Sequence, residues 1–250
     1  MNILNSNQMR LLDDFTIQNV PISSIDLMER AASKCVDWIE TNINSTRRIR
    51  VVCGPGNNGG DGLAITRLLA EKGWSVSALI LDSKNYLSND CKQNLDRLTH
   101  RFPDYIQVIQ NAEQLPLNLD CDVVIDAILG TGFKGQTSGL LATAIDLING
   151  SDCDVISIDM PSGMASSEFS NIIENKIIKS SITITFQFLK PALVMPENAP
   201  FFGKVEVLDI GLDVKGLREL QVDMHLSDLQ FIRGLLKPRQ AKGHKGDFGH

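Results

Sequence analysis

Between Arg48 and Leu212, short β-branched runs alternate with stretches of helical periodicity. The runs read RIRVVC (48–53), SVSALILD (75–82), YIQVIQ (105–110), DVVIDAIL (122–129), DVISIDM (154–160), SSITITFQF (180–188) and GKVEVLDIGL (203–212). Among the stretches between them, Leu63–Lys72, LSNDCKQNLDRLTHRF and Leu140–Ile148 read as helices, with Leu95 and Leu98 on one side of the second and Gly73 ending the first. Strands separated by helices cannot close as tight hairpins; they return parallel, with the helices packed on the faces of the sheet. The expected fold is α/β: a three-layer α/β/α, Rossmann-like domain with a mostly parallel sheet.

Helices precede this pattern. Ser6 is expected to cap one with Met9, Leu12 and Phe15 on its apolar side. ISSIDLMERAASKCVDWI forms the next, capped by Ser24, with Ile25, Met28, Ala32, Cys35, Val36 and Ile39 at helical spacing. Pro21 closes the loop between them. From Leu235 the chain turns basic, glycine-rich and aperiodic, so the domain is expected over 1–234 and a tail over 235–250.

A chain of 250 residues can bury a core without staples. Its net charge of -6 and scattered basic residues argue against a nucleic-acid partner. The five cysteines, Cys35, Cys53, Cys91, Cys121 and Cys153, form no C-x-x-C pair and are expected as reduced thiols in a cytoplasmic protein. No apolar run is long enough to span a membrane, and the N-terminus lacks a secretory pattern.

Ligands of open parallel sheets bind outside the carboxyl ends of the strands. Three polar, glycine-bearing loops leave such ends here. The first, GPGNNGGDG, fits G-x-G-x-x-G at Gly54, Gly56 and Gly59, and Asp82 ends the next strand as a ribose-binding acid would. Asp61 is the misfit, because a carboxylate there repels a pyrophosphate. Its oxygen and those of Asn57 and Asn58 suit hydroxyls or a hard cation. The plain alternative is a tight turn with Asp61 as a helix cap. The second loop, GTGFKGQ, repeats the spacing at Gly130, Gly132 and Gly135 with Lys134 inside, a better phosphate cradle or a simple surface turn. Asp126 lies within the strand before it and needs a partner or a cation if buried. In the third loop, DMPSGM, Asp159 sits at a strand end as a candidate acid/base or a cap. There is no P-loop, no G-x-S-x-G elbow and no H-E-x-x-H.

Taken in order, CGPGNNGGDGLA, VVIDAILGTGFKG and ISIDMPSG resemble the NAD(P)H-hydrate epimerases, as do LMERAA and FLKPALVMPENAPFFGKVEVLDIGL. The resemblance covers about Leu11 to Leu212. It implies an isomerase of nicotinamide cofactor repair, which interconverts the R and S forms of hydrated NADH and NADPH (NAD(P)HX) at C6. It implies substrate binding by Asn57, Asn58, Gly59, Gly60 and Asp61, by Gly130, Thr131, Gly132, Phe133, Lys134, Gly135 and Gln136, and by Asp159, which is also the catalytic acid/base. It implies a potassium ion held by Asn58, Asp126 and Ser162. Lys190 is a candidate accessory to Asp159 in the acid/base work. The tail resembles the start of a dehydratase domain, so 235–250 is expected to be a linker and truncated start of that domain, without dehydratase activity. A homodimer through the N-terminal helices is expected. Ala32 stands where the family usually has glycine, and QTSGLL follows GTGFKG where an arginine is common.

Two other classes fit parts of the sequence. An NAD-dependent oxidoreductase matches G-x-G-x-x-G and Asp82, but not Asp61, and no catalytic His or Lys/Tyr pair accompanies it. A non-catalytic ligand- or protein-binding module could keep the pocket, yet would not need Asn57, Asn58, Asp61, Asp126 and Asp159 all intact.

Overall fold

Each of the β-branched runs becomes a strand. The computed structural model describes residues 1–83, 86–165, 175–227 and 229–236. In chain order these form β1 (Asn2–Ile3), α1 (Ser6–Asn19), α2 (Ser24–Asn42), β2 (Ile49–Cys53), α3 (Asn57–Glu71), β3 (Val76–Leu81), α4 (Asn89–Arg101), β4 (Ile106–Ile109), β5 (Val123–Ala127), α5 (Gly139–Asn149), β6 (Asp154–Ile158), β7 (Ile182–Phe186), α6 (Ala199–Phe202), β8 (Lys204–Leu208), β9 (Met224–His225) and α7 (Leu229–Leu235). A seven-stranded sheet has the order β4-β3-β2-β5-β6-β7-β8, with every neighbouring pair parallel. β1 and β9 pair antiparallel in a separate two-stranded sheet.

The two-residue period of a strand divides the core. Val51, Cys53, Ile125 and Ala127 face α1 to α4, in one cluster with Leu12, Ala32, Ile39, Leu63 and Leu98. Val52, Val124, Leu79 and Leu81 face the other way, against Leu140, Ala144, Ile145 and Ile148 of α5. Helices therefore cover both faces, giving the three-layer α/β/α fold that the alternation predicts.

The glycine-rich stretch after β2 differs from expectation. It is helix, not loop: α3 begins at Asn57, not near Leu63. Glycine disfavours helix interiors, so the local sequence points elsewhere, but tertiary packing decides. A Cβ on Gly59 would lie 1.8 Å from the carbonyl oxygen of Gly54, and one on Gly62 would lie 2.6 Å from Ala127 Cβ. The glycines let α3 rest directly on the end of the sheet. Asp61 is consequently an interior helical residue rather than a cap, and the N-cap is Gly56.

Two further caps shift by one residue. Asn5, not Ser6, caps α1, accepting from Gln8 N while the Gln8 side chain accepts from Asn5 N, a reciprocal pair. Ser23, not Ser24, caps α2 by accepting from Asp26 N. Beside Met9 and Leu12, it is Thr16 that is buried on α1, while Phe15 is half-buried. At the C-terminus, α7 runs through Leu235, so the element crosses the expected domain boundary at 234. The expected tail beyond 236 lies outside the described residues. All five cysteines are free, with Cys35, Cys53 and Cys91 buried. Among the described residues no helix is long and apolar enough to cross a membrane.

Candidate active site

The strand order reverses between β2 and β5, and the chain segments leaving their carboxyl ends border a cavity of about 650 Å³. This is the switch point where open α/β sheets hold their ligands. Pro55, Gly56, Asn57, Asn58 and Asp61 line it from the start of α3, and Ile128 to Lys134 from the loop after β5. Asp159 reaches it from the end of β6, Phe186 from the end of β7, Lys190 from beyond β7, and Ile210 from the segment after β8. Helix α1 supplies Ser6, Asn7, Met9, Arg10 and Asp13.

Asp159 is held from three sides. Its backbone is left-handed, at φ 66°, a conformation uncommon for residues other than glycine and concentrated at functional sites. The backbone N–H that fixes it donates to Ile184 O at 2.7 Å. One carboxylate oxygen accepts from Thr131 N at 2.7 Å, and the other faces Lys190 Nζ at 3.0 Å. Lys190 is 1% exposed, and its ammonium also donates to Thr185 Oγ1 at 2.6 Å and Phe186 O at 3.1 Å. All three ammonium protons therefore have a partner. Burial alone would raise the Asp159 pKa, but the Lys190 charge and the Thr131 N–H more than reverse this, so the carboxyl lies below the ordinary value. It is an ionised group in a protected site.

The other carboxylates of the cavity behave oppositely. Burial, then the charges of Asp159, Asp13 and Asp90, push the Asp61 carboxyl well up. Burial and Asp159 raise Asp13 to about 7, against the opposing pull of Lys190. Arg10 and Lys134 also line the cavity, but Lys190 is the cation that acts on both Asp13 and Asp159, and it is paired to Asp159.

Beneath the cavity Asp126 is fully buried in β5. Its Oδ1 accepts from Ile128 N at 3.2 Å and Ser162 Oγ at 2.5 Å, and its Oδ2 from Ser157 Oγ at 2.7 Å and Ser162 N at 2.9 Å. Burial raises its pKa, and these hydrogen bonds oppose the rise without cancelling it. Ser162 Oγ in turn accepts from Leu129 N at 2.8 Å, which ties the loop after β6 to the loop after β5. Asn58 is 8% exposed, yet neither its amide oxygen nor its nitrogen has a hydrogen-bond partner. Its Cβ lies beside Gly130, where Asp159 Oδ2 also lies. A buried unpaired amide is costly, and this one lies in the wall of the cavity, where a ligand can satisfy it.

Of the residues singled out in the sequence, the structure gathers Asn57, Asn58, Asp61, Gly130, Thr131, Gly132, Phe133, Lys134 and Asp159 around the cavity. Gly59 and Gly60 sit behind its wall; a Cβ on Gly60 would meet Met28 and Cys91. Gly135 and Gln136 lie outside the lining, as do Asp126 and Ser162. Asp82 is also outside it, and its carboxylate accepts from Tyr86 N at 3.0 Å. The sequence gives no sign that α1 borders the site. Leu4 N donates to Leu189 O at 3.0 Å, one residue from Lys190, and that long-range contact sets the helix over the cavity.

Fold and cavity together define an α/β protein with a carboxylate-lined pocket at the switch point of a parallel sheet. The sequence model described as YjeF-related protein N-terminus matches residues 24–192, and the chain belongs to that family. It is 36% identical to the NAD(P)H-hydrate epimerase of Limosilactobacillus fermentum, over 81% of this chain and 93% of that protein. It is 32% identical to the bifunctional NAD(P)H-hydrate repair enzyme Nnr of Moorella thermoacetica, over 100% of this chain but only 48% of that protein, so it spans about half the length of the bifunctional relative. The crystal structure of yeast ynu0 superposes with a TM-score of 0.63 at 20% identity, covering 84% of this chain and 88% of that one, which supports the fold.

Proposed function

We propose that this chain epimerises NAD(P)HX, interconverting the R and S forms of hydrated NADH and NADPH at C6. The observation that carries the reading is the ionised Asp159, paired to buried Lys190 at the switch-point cavity. The names of the relatives supply the substrate class. C6 of the substrate bears both a hydroxyl and the ring nitrogen. Protonation of the hydroxyl lets it leave as water, with the C–O electron pair going to oxygen while the nitrogen lone pair forms a C=N⁺ bond. Water then adds to the other face of C6, and a carboxylate takes its proton. Asp159 is that acid/base: it takes the proton of the adding water in one direction and gives it to the departing hydroxyl in the reverse one, with ordered water supplying the first proton. Thr131 N–H and Lys190 keep its carboxylate aimed and charged.

In this reading Gly130 to Gln136 bind the phosphates, with Lys134 as the cation, and Asn57 to Asp61 meet the hydroxyls and altered nicotinamide end. Gly59 and Gly60 then act through the packing of α3. The donor set Asn58, Asp126 and Ser162 fits a potassium ion in type, since all are oxygen ligands and the Asn58 amide is unpaired. Asp126 has its acceptor positions filled, so it would exchange one serine hydrogen bond for the ion. The ion would supply positive charge beside the substrate. The S product would pass to a dehydratase activity in the bifunctional relatives, and a cytoplasmic homodimer completes the reading.

The experiment is epimer exchange. Purified R-NADHX is mixed with the chain and potassium, and S is followed by chromatography. Approach to the mixed equilibrium faster than the spontaneous background supports the proposal; an unchanged background rate rejects it.

A further inference from the structure

Asp13 is a cavity-lining carboxylate to which the mechanism above assigns nothing. Its helix, α1, is fastened at both ends. Leu4 N donates to Leu189 O at 3.0 Å beside Lys190, and Asp213 N donates to Thr16 Oγ1 at 3.0 Å. Between these points a Cβ on Gly216 would lie 2.9 Å from Leu12 Cδ1 and 2.8 Å from Phe15 Cδ1, so the helix is packed without slack against the segment after β8. The Asp13 carboxyl is thus built into the wall of the cavity on a different element from Asp159, which rises from the end of β6.

We propose that Asp13 is a second catalytic residue: the acid that protonates the departing C6 hydroxyl, while Asp159 accepts the proton of the water that adds. This inference rests on the epimerase reading and deepens it. Asp14 on its own helix, Asp159 and Lys190 act on Asp13 by charge, Asp13 acts in turn on Asp61 of α3, and Arg10 lines the same cavity. Lys190 is spent on Asp159, so the surroundings of Asp13 favour its neutral form. Burial, Asp159 and Asp14 raise it to about 7, while Asp159 itself is held low. Two carboxyls whose environments drive them to opposite protonation states divide acid and base work between them.

The step balances. Asp13 gives its proton to the hydroxyl oxygen, the C6–O pair leaves with the water, and the ring nitrogen donates its lone pair to C6. A second water bonds to C6 from the other face, the nitrogen recovers its pair, and Asp159 takes the proton. Asp13 ends ionised and Asp159 protonated, the mirrored state that S to R conversion requires. A proton exchange with solvent resets the pair for another R to S turnover.

The test compares the wild-type chain with Asp13→Asn on R-NADHX between about pH 6 and 9, reading S by chromatography. The expected result is a kcat lower by about 10²-fold or more in the variant, with KM within about threefold. The wild-type kcat should fall on the alkaline side as Asp13 ionises, and that limb should vanish in Asp13→Asn. Asp104→Asn, at an exposed carboxylate outside the cavity lining, should keep the wild-type kcat. Should Asp13→Asn fail to fold, Asp13→Glu carries the same test: reduced kcat at unchanged KM with the alkaline limb retained supports the role, and wild-type kcat overturns it. Asp13→Asn with the wild-type rate and pH profile overturns this inference alone. A wild-type chain that leaves R-NADHX at the background rate overturns the epimerase reading, and this inference with it.

Discussion

Lys190 Nζ lies 3.0 Å from Asp159 Oδ1, and the lysine is 1% exposed. A buried charge survives only with close partners, and each of these two is the other's counter-charge. The pair converts a lysine in the core into the device that keeps an acid ionised.

Replacing that lysine by an apolar residue of similar length should therefore act on both stability and chemistry. Lys190→Met removes the cation that lowers the Asp159 pKa and leaves its burial, which raises it. We expect the acidic limb of the epimerisation rate to move to higher pH and thermal stability to fall by about 3 kcal/mol, the scale for breaking a buried pair. The sign follows from linkage. A depressed carboxylate pKa contributes stability above the unfolded value, and that contribution is lost as pH falls through the folded value. The variant should accordingly lose less stability on acidification than the wild type, as measured by denaturant melts across the acidic range.

Asp159→Ala removes the group itself. Exchange should drop to the spontaneous background, while circular dichroism reports the wild-type fold, because Lys190 keeps its bonds to Thr185 and Phe186. Wild-type-like exchange in this variant would assign the acid/base role elsewhere.

Much of this arrangement is legible in the sequence, and the exceptions have a common cause. The alternation of strand and helix periods dictates a parallel sheet, and the loops that carry Asn58, Gly130 and Asp159 follow from their places after β2, β5 and β6. What the sequence hides is set by contacts between distant residues. The helical start of α3 contradicts local glycine preference and is visible only once Gly54 O and Ala127 Cβ are seen against it. The entry of Asp13 into the cavity depends on Leu4 meeting Leu189 and Thr16 meeting Asp213. The burial of Lys190 depends on Thr185 and Phe186, and nothing in a single lysine before a proline announces it.

The close seating of α3 gives a sharp contrast between neighbouring glycines. A Cβ on Gly59 would lie 1.8 Å from Gly54 O, a backbone atom that cannot rotate away, whereas a Cβ on Gly56 would meet nothing within 4 Å. Gly59→Ala should push α3 off the sheet, cost about 3 kcal/mol or more as an overpacked core does, and abolish exchange by moving Asn58 and Asp61. Gly56→Ala should change stability by well under half as much, about 1 kcal/mol at an N-cap. Equal melting temperatures for the two variants would contradict the observed contact.

Asp13 offers a prediction that needs no substrate. Its carboxyl is raised from 3.8 to about 7 in the folded chain, first by burial and then by Asp159. Between these values the folded state holds a proton that the unfolded state has released, so stability falls as pH rises through that window. Asp13→Asn deletes the titration and keeps the shape. The variant should be more stable than the wild type at about pH 8, by about 1–2 kcal/mol after allowance for partial solvent screening. The advantage should shrink on acidification and close below about pH 3, where both states of the wild type are protonated. The same variant is expected to be the slower epimerase, so the gain in stability would measure what the chain gives up to keep a protonatable acid in the cavity. Chemical denaturation of both proteins at a series of pH values reads the effect directly, and a stability difference that does not vary with pH would mean that Asp13 titrates as an ordinary surface carboxylate.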